Sequence, residues 1–142
     1  SSPVIEGGLV FATNFQGNLT AFDPSQRRAV WSTDASSFHS PLIIKGLIIV
    51  LNNDGSIISF SGQTLSESWT NEEYLRRGLS NATEHDGNVV FGDIEGYLHV
   101  INPLTGRTVG REKISGNPIR YVSSRGNQLF ALDSELRMFA LN

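Results

Sequence analysis

The sequence predicts an all-β protein, a β-propeller of four-stranded antiparallel blades. Three observations carry that prediction: a repeat of about forty residues, short apolar strands punctuated by turn residues, and no long helical pattern. The 142 residues include 14 Gly but 5 Pro and one Met, a balance that favours many tight turns between short strands.

The repeat is a turn glycine, an apolar strand, a polar turn and a second strand. Its first copy runs Gly8-Leu9-Val10-Phe11-Ala12, a turn over Asn14 to Gly17, then Asn18-Leu19-Thr20-Ala21-Phe22. The second runs Gly46 to Val50, a turn at Asn52-Asn53-Asp54-Gly55, then Ser56 to Phe60. The third runs Gly87 to Phe91, a turn over Asp93 to Gly96, then Tyr97 to Ile101. The fourth runs Gly126 to Phe130, a turn at Asp133-Ser134, then Glu135 to Phe139. With Gly17, Gly55, Gly96 and Ser134 as equivalent anchors the spacings are 38, 41 and 38. A further short strand precedes each unit, beginning at Pro3, Pro41, Ala82 and Ile119, and a fourth strand ends the first three at Trp31, Trp69 and Gly110. Four strands per unit of this length is a propeller blade. Leu47 to Leu51 is apolar at every position, as expected of a sheet covered on both faces by neighbouring blades.

The predicted blades span about 1–36, 37–76, 77–115 and 116–142, the last without its outer strand. That strand is expected from the amino terminus of a longer chain, which would close the ring and remove a free edge. The four blades are thus expected to be half of an eight-bladed ring, the chain starting in mid-protein and ending at a natural carboxy terminus. Their end faces should expose apolar surface, so that the isolated stretch self-associates while the full-length protein is monomeric.

The segments Ala21-Phe22-Asp23-Pro24 to Trp31 and Val100 to Arg107 resemble the tryptophan-docking motif of PQQ-type propellers, roughly Ala-x-Asp-x-x-Thr-Gly-x-x-x-Trp. The first copy keeps Ala21, Asp23 and Trp31, with Gln26 where Gly is usual; the second keeps only Trp69; the third keeps Thr105-Gly106 but ends in Gly110. Trp31 and Trp69 are read as packing residues, because large aromatics dominate buried contact area.

Within that class, Gly92-Asp93-Ile94-Glu95-Gly96-Tyr97-Leu98-His99 is the most specific string, and with Gly17 to Asp23 and Tyr74 to Ser80 it resembles the carboxy-terminal half of the BamB family of outer-membrane assembly lipoproteins. The resemblance implies a non-catalytic scaffold at the periplasmic face of the outer membrane. It further implies a lipid anchor upstream of this stretch, binding to BamA, contact with unfolded outer-membrane proteins, and no cofactor. The alternative it leaves open is a fragment of a quinone-dependent propeller dehydrogenase.

Other classes find little support. A formal net charge of -3 and 18% charged residues show no basic excess for nucleic acid. The 39% hydrophobic content supports a folded core. Without cysteine there is neither a disulfide nor a thiolate metal site, so the compartment is not legible. Ser1 to Gly8 lack the basic region and apolar run of a signal peptide. The apolar stretch Pro41 to Leu51 is 11 residues long and broken by Lys45-Gly46, against about 20 for a membrane helix.

His39, His85 and His99 are dispersed, and none stands at metal-ligand spacing from another. His99, between Leu98 and Val100 on a strand, is expected to pack within a blade. Asp93 and Glu95 invite a calcium reading, but carboxylates around a hairpin glycine more commonly solvate the turn. No metal site is expected. The loops between second and third strands and those between blades emerge on one face, which gathers Tyr74, Arg76, Arg77, Asp93 and Glu95. These five are the candidate partner-binding residues, since Arg and Tyr are enriched at binding hot spots. The competing reading has the arginines paired with Glu72 and Glu73, bracing the loop.

Overall fold

Side-chain alternation across short strands decides the architecture. The computed structural model describes residues 3–13 and 17–142. Within them, unit 1 comprises β1 (Val4–Glu6), β2 (Leu9–Thr13), β3 (Asn18–Asp23) and β4 (Arg28–Asp34). Unit 2 comprises β5 (Leu42–Ile44), β6 (Leu47–Leu51), β7 (Ile57–Ser61) and β8 (Glu67–Asn71). Unit 3 comprises β9 (Ala82–His85), β10 (Asn88–Gly92), β11 (Tyr97–Ile101) and β12 (Thr108–Lys113). Unit 4 holds β13 (Ile119–Arg125), β14 (Gln128–Asp133) and β15 (Met138–Leu141). Each unit is one antiparallel meander in sequence order, four-stranded in units 1 to 3 and three-stranded in unit 4. The turn expected from Asn14 lies outside the described residues as far as Gln16.

First strands of consecutive units lie against one another, β1 on β5, β5 on β9 and β9 on β13, so the first strand of each unit is the innermost. The first and second strands join through two-residue turns, as the pairings Glu6↔Leu9, Ile44↔Leu47 and His85↔Asn88 require. In Lys45-Gly46 and Asp86-Gly87 both turn residues have positive φ, the type I′ geometry that matches strand twist.

Successive residues of a strand face opposite neighbours, so units 2 and 3 each supply two cores. Ile48 and Val50 pack with Phe11, Leu19 and Ala21 of unit 1, whereas Ile49 and Leu51 pack with Val89, Phe91 and Ile101 of unit 3. Val90 and Leu98 face the other way, toward Val122, Leu129 and Ala131 of unit 4. This explains why β6 is apolar throughout.

The two tryptophans bridge adjacent units, as expected. The Trp31 ring meets Phe60 of unit 2 edge-on at 5.3 Å. The Trp69 indole donates from Nε1 to the Pro103 carbonyl, 2.8 Å away, and lies flat over Gly106, where an added Cβ would come within 2.4 Å of the ring. Only glycine permits that approach.

Two register expectations are corrected. The motif's glycine slot in unit 1 is Arg27, not Gln26: Arg27, Leu65 and Gly106 have φ of 56°, 62° and 75°, each four residues before Trp31, Trp69 and Gly110. Thr64 therefore stands before Leu65 as Thr105 stands before Gly106, and unit 2 keeps more of the motif than Trp69 alone. Likewise the fourth anchor is Leu136, with φ 63°, rather than Ser134, which lengthens the last spacing to 40 residues. In all these places a side chain occupies a left-handed position that glycine would advertise.

Candidate functional site

The hairpins between second and third strands meet the loops between units on one face, and backbone hydrogen bonds lock them together. Arg76 N–H donates to the Asp54 carbonyl at 2.9 Å, Ile94 N–H to the Arg77 carbonyl at 3.0 Å, and Ile119 N–H to the Asp93 carbonyl at 2.9 Å. The hairpin of unit 3 thus ties to the loops on both its sides. Contact is so close that a Cβ on Gly96 would lie 1.9 Å from the Ser115 carbonyl oxygen, and one on Gly55 2.1 Å from that of Tyr74.

Asp93 is the hub of this face. Its Oδ1 accepts from the backbone N–H groups of Glu95 (2.9 Å) and Tyr97 (3.1 Å), folding the hairpin around the carboxylate. Its Oδ2 accepts from His99 Nε2 at 2.7 Å and lies 3.9 Å from Arg77 Nε. Arg77 also reaches Glu95, 4.0 Å away. Burial holds His99 below its ordinary pKa, against the opposing pull of Asp93, so the neutral ring donates Nε2–H and leaves Nδ1 without a partner. Unit 4 repeats the design with Asp133, whose Oδ1 accepts from Glu135 and Arg137 N–H and whose Oδ2 takes Ser115 Oγ and Arg137 Nε. Burial pushes that carboxyl up. The Ser115 hydroxyl, the two backbone donors and Arg137 outweigh it and bring it to about 2.

The five candidate residues divide sharply. Tyr74 and Asp93 are brought to the face but buried within it, at 4% and 0% exposure. Tyr74 packs edge-on against Phe91 and His99, its hydroxyl bonded to Thr108 Oγ1. Neither is free to meet a partner, which corrects their assignment as contacts. The physical reason is that both brace the hairpin-to-loop junction from inside. Arg76 and Glu95 are exposed, and Arg77 is half-buried within reach of the Asp93 and Glu95 carboxylates. The arginine bracing comes from unit 3, not from Glu72 and Glu73.

Two apolar neighbours missed in the sequence share the surface: Leu75, 41% exposed, and Ile94, 46% exposed, flank the buried Tyr74 and Asp93. Alternation next to a buried anchor was the available signal. Asn81 was also missed as a clasp. Its side chain donates to the Val122 carbonyl and accepts from Val122 N–H, joining units 3 and 4. Among the described residues no group of three or more His, Asp or Glu is placed to hold a metal.

The family model described as outer membrane protein assembly factor BamB matches residues 1–134. The chain belongs to the BamB family. BamB of Pseudomonas aeruginosa is 31% identical over 90% of this chain and 36% of its own length, and BamB of Escherichia coli is 32% identical over 82% of this chain and 30% of its own length. The chain therefore spans about a third of these BamB relatives. Among solved structures, BamB from Moraxella catarrhalis superposes with a TM-score of 0.90 at 22% identity, over 99% of this chain and 42% of that one. The designed protein Ika4 superposes with a TM-score of 0.82 at 12% identity, over 98% of this chain and 88% of that one. These similarities establish the propeller fold and BamB family membership.

Proposed function

We propose that this chain is part of a non-catalytic scaffold of the outer-membrane β-barrel assembly machinery, one that binds BamA and assists insertion of outer-membrane proteins. The family match over residues 1–134 is the observation that carries the reading. On it, the four units form half of an eight-bladed ring held at the periplasmic face of the outer membrane by a lipid on another part of the protein. Family membership favours this scaffold over a quinone-dependent enzyme.

The partner surface is assigned to Leu75, Arg76, Ile94 and Glu95. Their backbone is pinned by the bonds from Arg76 to Asp54 and from Ile94 to Arg77, so little loop ordering remains to oppose binding. An apolar centre rimmed by charge is the usual anatomy of such a contact. The test is affinity of the full-length protein for BamA. Arg76→Glu and Ile94→Asp are expected to weaken it roughly tenfold or more, while Tyr74→Phe leaves it nearly unchanged. Unchanged affinity in folded Arg76→Glu and Ile94→Asp proteins would remove this surface from consideration.

A further inference from the structure

The outer rim of unit 3 is basic in an acidic chain. Residues 104–113, from the turn after β11 to the end of β12, hold Arg107, Arg111 and Lys113 against the single carboxylate of Glu112, whereas the rest of the chain holds 8 basic and 13 acidic residues. The repeat does not impose this. With Leu65 in register with Gly106, the corresponding stretch of unit 2, 63–72, has no basic residue and the two carboxylates Glu67 and Glu72, and that of unit 1, 25–34, has Arg27 and Arg28 with Asp34. Arg107, Arg111 and Lys113 are exposed, and none is in an ion pair among the described residues. Arg111 and Lys113 stand opposite His99 and Tyr97, on the sheet face turned to unit 2, and Glu112 stands opposite Leu98 on the other face. The two cations lie over the Tyr97 ring, 5.3 Å and 5.7 Å from its centroid. Unit 2, with all four strands, is the neighbour on that face, and no blade covers the outermost strand of another.

We infer that this rim is a contact surface for an anionic lipid bilayer, whose phosphate headgroups meet Arg107, Arg111 and Lys113. Arg107 and Lys113 lie six positions apart, roughly 20 Å along the extended outer edge. Charges spread over that length suit a plane of headgroups better than one small anion. Leu104, 61% exposed in the turn that opens the stretch, adds an apolar side chain able to enter the headgroup layer. Tyr97, half-buried under the two cations, is of the type enriched at bilayer interfaces. The choice of a membrane over an acidic protein rests on the reading above, in which a lipid on another part of the protein holds the ring at the outer membrane. Such a tether limits distance but leaves orientation open. The basic rim supplies the orientation, turning the edge of unit 3 toward the bilayer.

The experiment uses the full-length protein in soluble, unlipidated form and two kinds of vesicle, phosphatidylcholine alone and phosphatidylcholine mixed with phosphatidylglycerol, with binding read by co-sedimentation. Wild type is expected to partition roughly tenfold or more in favour of the anionic vesicles, and to lose that preference as salt rises. Arg111→Glu with Lys113→Glu is expected to abolish the preference, and Arg111→Gln with Lys113→Gln serves as a milder variant if the reversal misfolds. Arg120→Glu with Arg125→Glu makes the same change in net charge on the innermost strand β13 and is expected to keep the preference. Equal partitioning of wild type to the two kinds of vesicle would overturn the inference. So would a preference that survives in the folded rim variants, or one lost equally from the β13 variant, which would make it an effect of net charge alone. BamA binding measured on the same samples separates the two readings: a missing vesicle preference beside intact BamA binding strikes at the rim, and the reverse strikes at the assembly role.

Discussion

At the scale of single residues, the buried His99 ring couples this fold to pH. Burial lowers its pKa from the ordinary 6.5, with Arg77 and Arg111 adding to the effect while Asp93 opposes it. The unfolded chain therefore binds the proton more readily than the folded one. Stability on this account is complete above pH 6.5 and is lost as pH falls through the folded value. A titration of the His99 ring resonances by NMR should give a midpoint below 6.5, and a midpoint at or above it would contradict the burial argument. Gly96 makes a steric prediction of the same local kind. Its φ is 92° and an added Cβ would strike the Ser115 carbonyl, so Gly96→Ala should cost about 2–4 kcal/mol in denaturant unfolding. Gly110→Ala, in open space, should cost nothing comparable.

At the scale of elements, stability comes from the joints between sheets more than from the sheets themselves. Trp69 couples packing on Gly106 to a hydrogen bond with Pro103, both in the following unit. Trp69→Ala is expected to lose about 2–4 kcal/mol, somewhat less than a fully buried tryptophan because the ring is half-buried. Trp69→Phe should recover part of that loss, keeping ring contact without the N–H. Equal losses in both variants would place the stabilisation in the hydrogen bond alone. The strands and their order were legible in the sequence because alternation and turn chemistry are local. Leu47 to Leu51 announced its two-sided burial, and Asp54-Gly55 and Glu95-Gly96 their hairpins. Arg27, Leu65 and Leu136 were not legible as left-handed positions, because the residue that marks such a position was absent. The Arg77–Asp93 and Asn81–Val122 joints escaped for another reason. Each ties the loop between β8 and β9 to a residue well removed in sequence, and only the superposed repeat reveals which loop meets which hairpin or strand.

At the scale of the whole molecule, every internal sheet is covered on both faces, whereas units 1 and 4 each have a neighbour on one side only among the described residues. Unit 1 exposes Ile5 (72%) and unit 4 exposes Tyr121 (54%) and Met138 (64%), in the absence of a further sheet on either side. The small cleft that Tyr121 and Met138 share with Phe130 and Leu132 has the character of a half-built core. A core of this kind is stable only when stacked. The 142 residues on their own are thus expected to associate in pairs, unit 4 of one copy against unit 1 of the other, a head-to-tail contact that closes if two half-rings complete a circle. Sedimentation equilibrium should show dimer at micromolar concentration. Tyr121→Lys with Met138→Lys should return it to monomer without loss of the β-rich circular dichroism spectrum. A longer protein in which those faces meet further blades should sediment as monomer whether or not the two substitutions are present. Compact monomer of the unsubstituted 142-residue chain at high concentration would show that the end faces are satisfied without a partner.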